Sequence, residues 1–370
     1  MRTDKNRVSG YWEFRMNENN DVTQKNSLSE DLVYFMNQSV KNGNWKINSE
    51  TGKIDVNGSV DATPSRSNID EIEKNKIQFG RVSGEFLWNS FQDLEDLSMM
   101  PREIGHNFSL SSCYVKSCKN FPDKVGKDVE LSFLSELKSL EGLPEEVNGD
   151  LNIQYSKVKS LKGSPKKVKG SYYAHRSEII DLEGAPEIVG KNFRIGENES
   201  LISLKGFPPV VKGWIDIIGC PNLKKLDYIK NSGGGIWIDK CSLTSLRGLP
   251  EDFSRLSFPF SAKENMIICL DGIPAEYLDR EIVNGIENVT SGFSLSGNPI
   301  EESVLIEGIK KRIETGDWKE SWQLSYSSDP GSFYSAWETM DNEDQEYVLG
   351  QLDMDRDEFI KLSKVRSRFI

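Results

Sequence analysis

Apolar and polar positions return along this chain on a fixed beat. Leu-Glu-Gly-Leu-Pro-Glu-Glu-Val-Asn-Gly-Asp-Leu-Asn-Ile runs from Leu140 to Ile153, and the same order recurs at Leu161–Tyr172, Leu182–Ile195 and Leu204–Ile217. The proline marks the beat: Pro101, Pro122, Pro144, Pro165, Pro186 and Pro208 stand 21 or 22 residues apart. Phe79 and Ile229 hold the marker place on either side, Pro250 restores it, and Pro274 follows at a looser interval. An earlier copy, Ile54-Asp-Val-Asn-Gly-Ser-Val60, is spaced wider. The unit reads apolar-x-x-Leu-x-Gly-x-Pro-x-x-Val-x-Gly-x-apolar-x-apolar, from about residue 52 to about residue 298.

The closing apolar-x-apolar has period 2 and predicts a short strand. One such pair cannot enclose a core. Stacked turns, each strand ~4.8 Å from the next, bury a continuous apolar column. Roughly ten turns make a sheet on the order of 50 Å long. The glycine before the strand is expected at a corner with a positive backbone dihedral, and the proline at a second corner that needs no amide donor. A unit this short has no room for a crossover helix. The expected fold is a β-rich repeat solenoid with a parallel sheet on one face.

The flanks depart from the beat. Residues 1–44 form a lead-in whose stretch Ser29 to Val40 has helical spacing with Ser29 as N-cap, placed to cover the open edge of the first turn. Residues 62–76 are polar and read as a loop, and the turn around Phe253 lacks the glycine. Beyond the array of residues 45–298, segments starting at Glu301, Asp329, Asp341 and Asp355 have helical periodicity, so 299–370 is expected to be a helical cap or small helical module.

With these motifs in hand, the array resembles the short leucine-rich-repeat-like units of tailed-bacteriophage proteins and, more distantly, the short leucine-rich repeats of bacterial effectors. The lead-in from Trp45 to Val60 is similar to the segment that opens the array in the phage proteins. The resemblance implies a leucine-rich-repeat-like solenoid used for binding. The consensus asparagine after the strand is mostly replaced.

Charge and cysteines narrow the function classes. A formal net charge of −12 disfavours a general binder of the nucleic-acid backbone. The lysines at 157, 159, 162, 166, 167 and 169 read as solvated corners. No long apolar run predicts a membrane span or a signal peptide, so a cytoplasmic location is expected (the host's, for a phage protein). Five cysteines is an odd count for a disulfide framework. Cys220 and Cys241 share one place in the repeat, so they are expected to stack on adjacent turns as small buried residues.

No cofactor or metal is expected, and no enzyme. The two histidines, His106 and His175, lie three turns apart, ~14 Å at one strand spacing per turn. Ser232-Gly-Gly-Gly235 lacks the helix and lysine of a phosphate loop. No cysteine follows residue 298 to serve a ligase-type effector. The outward residues of the strands instead change along the array, from acidic and small to aromatic and basic. Tyr173, His175, Arg194, Trp214, Asp216, Trp237 and Asp239 have the composition of a protein-binding surface. Two functions are carried forward. One is a non-enzymatic adaptor or inhibitor that docks a host or viral protein; the other is a virion or assembly component acting through homo-oligomerisation.

Overall fold

The structure is a computed structural model and describes residues 30–62, 78–90, 94, 96–229, 232–249, 260–267, 293–294 and 298, with a few positions between 342 and 357. Within these residues the chain is a parallel β-solenoid that repeats about every 22 residues. The expected loop at 62–76, all but Ala62, and the turn around Phe253 lie outside the described residues. In the C-terminal region Asn342, Gln345, Glu346, Leu349, Arg356 and Asp357 are helical, and the rest of the expected helices lie outside.

The solenoid opens with α1 (Glu30–Ser39), whose Leu32, Phe35 and Met36 form one buried stripe. The Phe35 ring meets Trp88 edge-on at 6.1 Å. The helix runs directly into β1 (Val40–Ile47), which pairs antiparallel with β2 (Ile54–Asp61). The edge of the first turn is thus covered by this strand, with the helix packed on the core beside it. A bulge between Lys41 and Asn44, together with exposed Lys41 and Lys46, blunts the outer edge of β1 against further pairing.

From Phe79 to Asp216 each turn then carries two short strands rather than the single one expected, and the described strands of later turns belong to the first ladder alone. The first ladder follows the predicted apolar-x-apolar: Leu151 pairs with Val129 on one side and Tyr172 on the other, and the row continues through Phe193, Ile215, Ile236, Phe260 and Phe293. The second ladder uses the residues just after the proline, where Val147, Val168, Val189 and Val211 align. These ladders turn their alternate residues inward, so Phe108, Leu151, Tyr172, Phe193 and Ile215 share one dry core with Val147, Val168 and Val189.

The glycine expectation is corrected. From Gly84 to Gly213 the glycine that precedes the first ladder does not adopt a positive φ, as only the earliest copy, Gly58, does; it lets two turns touch. A Cβ on Gly126 would lie 1.8 Å from the carbonyl oxygen of Gly105 in the preceding turn. Left-handed residues sit elsewhere, at two corners per turn. One is the glycine two places before the proline, such as Gly142 with φ 108. The other lies just past the first ladder, where Ser112, Phe133, Tyr155, Arg176 and Glu197 all have φ between 53 and 58.

Backbone groups left over at these corners are served by side chains from neighbouring turns. Asp150 N donates to Asp128 Oδ1 and Ser171 N to Asp150 Oδ1, both at 2.8 Å. The column that holds the cysteines is a second such ladder, in which polar members donate to a carbonyl of the turn before. Ser177 Oγ reaches Ile153 O at 3.3 Å, Asn198 Nδ2 reaches Ala174 O at 3.0 Å, and Cys241 Sγ reaches Ile217 O at 3.3 Å. Cys220 and Cys241 are buried on adjacent turns, as the spacing predicts.

Candidate protein-binding face

The outward side of the first ladder places one side chain of each turn directly over the next. Tyr173 faces Arg194, Arg194 faces Asp216, and Asp216 faces Trp237, because these residues are strand partners. Trp214 and His175 sit one alternation to either side. The structure therefore assembles six of the seven predicted residues in one patch on the later turns, and Asp239 borders it.

Arg194 is the centre. Its guanidinium carbon lies 5.9 Å from the Tyr173 ring centroid and 5.3 Å from that of Trp214. Its Nε donates to Asp216 Oδ2 at 3.0 Å. Trp214 in turn meets Trp237 edge-on, with centroids 5.6 Å apart. The four side chains Tyr173, Arg194, Trp214 and Trp237 are each half-buried, so each holds one surface against its neighbours and another toward solvent. Cation–π contact and ring-edge packing fix them in place.

The acids of the patch have a different task. Asp216 is buried beneath its neighbours, and its Oδ1 accepts the Ile218 amide at 3.1 Å. Asp239 Oδ1 accepts from Ser261 Oγ at 2.6 Å and from Lys263 N at 2.8 Å. Asp216 therefore orients the cation, and both acids hold the backbone of the neighbouring strands.

His175 lies against Tyr155, ring to ring at 6.0 Å and 68°. Its Nδ1 is buried without a hydrogen-bond partner. Burial first, then the nearby Arg194 cation, hold its basicity below the usual 6.5, with Glu197 and Asp216 opposing and Arg176 reinforcing the shift. The folded chain thus keeps a neutral imidazole where the unfolded chain would protonate. Its contribution is present above about pH 6.5 and is lost as the pH falls from there through the lower folded value. Thermal melts from about pH 8 to about pH 5 should therefore show a steeper loss of stability in the wild type than in His175→Gln. Identical slopes would contradict this placement of the ring.

Sequence reasoning did not find the corner beside this patch. Phe133 stacks on Tyr155 at 4.4 Å and 12°, Arg176 lies 5.4 Å from the Tyr155 centroid, and Arg176 Nε donates to Glu197 Oε2 at 2.6 Å. These residues share the left-handed corner, one per turn. The signal was their common spacing of 21 or 22 residues, which the mixed chemistry concealed.

The six lysines from 157 to 169 each meet a glutamate of a neighbouring turn. Their partners are Glu136, Glu178, Glu183, Glu145 and, for both Lys167 and Lys169, Glu146, at 2.6–3.8 Å. Among the described residues, no group of three or more His, Cys, Asp and Glu side chains is arranged to hold a metal ion, and no helix is long and apolar enough to cross a membrane. Compared with protein-family models, curated proteins and solved structures, the chain gives no match.

Proposed function

We propose that this chain is a non-enzymatic protein-interaction scaffold, a solenoid of the leucine-rich-repeat-like kind carried by tailed bacteriophages. In this reading it binds a host or viral protein in the host cytoplasm, as an adaptor or inhibitor, on the later turns of the first ladder. The observation that carries it is the row Tyr173–Arg194–Trp214–Trp237, half-exposed and braced from within by Asp216. Aromatic rings and arginine are the residue types that dominate interface energetics, and fixing them beforehand lowers the entropy lost on binding.

The test is affinity capture of the tagged full chain from host cells, with Trp214→Ala/Trp237→Ala as control. One protein recovered by the wild type and lost by the double variant is expected. Measured directly, that complex should weaken at least about 30-fold, the equivalent of one hot-spot residue of about 2 kcal/mol. The variant should keep its cooperative melt. Loss of the melt would make the tryptophans part of the core. Recovery of only the chain itself or of virion proteins would favour the assembly role.

A further inference from the structure

The ladder column sets two thiols side by side. Cys220 follows Ile215, and Cys241 follows Ile236, at the same distance along the chain, and Ile215 and Ile236 are strand partners. Gly219 N donates to Asp239 O at 2.8 Å, so the register persists to the residue before Cys220. Neighbouring turns lie ~4.8 Å apart, inside the ~4.4–6.8 Å between Cα atoms that a disulfide spans.

Both cysteines are free and buried, but they are not equivalent. Cys241 Sγ donates to Ile217 O at 3.3 Å. Cys220 Sγ makes a longer contact, to Ile195 O at 3.8 Å. The neighbouring sulfur lowers the Cys241 thiol from its ordinary range and, with burial, raises Cys220. Cys241 is also the more accessible, 6% exposed against 0%. A slightly accessible sulfur stacked beside a fully buried one is the arrangement of an attacking and a resolving cysteine. The other described cysteines lack it: Cys113 has Leu134 as its column neighbour in the next turn, and burial pushes Cys118 up to about 12.

We infer that Cys220 and Cys241 are a peroxide-responsive pair that closes a disulfide between adjacent turns of the solenoid, with hydrogen peroxide or an organic hydroperoxide as oxidant. The Cys241 sulfur attacks the O–O bond and becomes a sulfenic acid, and the leaving oxygen departs as water or alcohol. Cys220 then attacks that sulfur, and its proton leaves with the hydroxyl as water. The two thiols give up two electrons and two protons, which the peroxide takes up.

The test uses the full chain, treated with hydrogen peroxide, alkylated before and after unfolding, and mapped without reduction. The expected product is one cross-linked peptide joining Cys220 to Cys241, lighter by two hydrogens, with Cys113 and Cys118 still alkylatable. In Cys220→Ser the sulfenic acid has no resolving thiol, so a dimedone adduct should accumulate on Cys241. If peroxide leaves both thiols of the folded protein alkylatable, the inference fails. It fails equally if the links run to Cys269 or between chains. The wild-type map decides this even where the variant does not fold.

Discussion

Gly126→Ala is expected to remove about 3–5 kcal/mol of stability, at the upper end of single substitutions. The new methyl would meet the Gly105 carbonyl at 1.8 Å from its oxygen and 2.5 Å from its carbon. That carbonyl is backbone and cannot swing aside alone. Parting the two turns would strain the bonds that tie them, from Gly126 N to Ile104 O at 2.9 Å and from Lys127 N to His106 O at 3.1 Å. Gly52 supplies the comparison. It has φ +70 and nothing within 4 Å of its would-be Cβ. Gly52→Ala should cost only the left-handed backbone penalty, about 1–2 kcal/mol. Urea denaturation of the two variants checks this. Equal losses would mean that the turns do not approach as closely as their register requires.

This contrast also shows how far the sequence could be read. The beat of Val-x-Gly-x-apolar was plain, and it placed the first ladder correctly at Leu151, Tyr172 and Phe193. The reason for the glycine was not plain, because a tight approach to another turn and a left-handed corner both exclude a Cβ. Only stacked turns distinguish them. The second ladder was hidden for a related reason. Glu146–Val147 and Lys167–Val168 each have one apolar residue, and two residues cannot show alternation. The corners at Phe133, Tyr155 and Arg176 were hidden because bulky residues seldom adopt φ > 0, and nothing in those side chains announces it.

The candidate face was legible in its membership and not in its roles. Period 2 put Tyr173, Arg194, Asp216 and Trp237 on one side of the sheet, where they stand. It could not show that Asp216 is buried and spent on Arg194 and a backbone amide. Nor could it show that the nearby lysines are matched by glutamates one turn away, since those pairs depend on stacking between turns.

Asn198 offers the sharpest test of the ladders. It is fully buried, and its side chain serves four backbone groups: Nδ2 donates to Ala174 O at 3.0 Å, Ile195 O at 2.6 Å and, more weakly, Gly196 O at 3.5 Å, while Oδ1 accepts from Ser177 N at 2.9 Å. Asn198→Ala strips these partners from groups that water cannot reach, and a loss of about 3 kcal/mol is expected. Asn198→Ser differs from it by one hydroxyl. The column already accepts serine at position 177, whose Oγ donates to Ile153 O at 3.3 Å. The serine variant should therefore recover about 1 kcal/mol of the loss. Both are read as shifts in the urea midpoint at unchanged slope. If alanine and serine cost the same, the column holds these residues for their volume, and the turn-to-turn bonds add nothing to the stability of the solenoid. If serine recovers its share, the cysteines, serines and asparagines that share this column are one device written in three residue types. The departure from an all-asparagine column is then a change of donor, with the coil geometry retained.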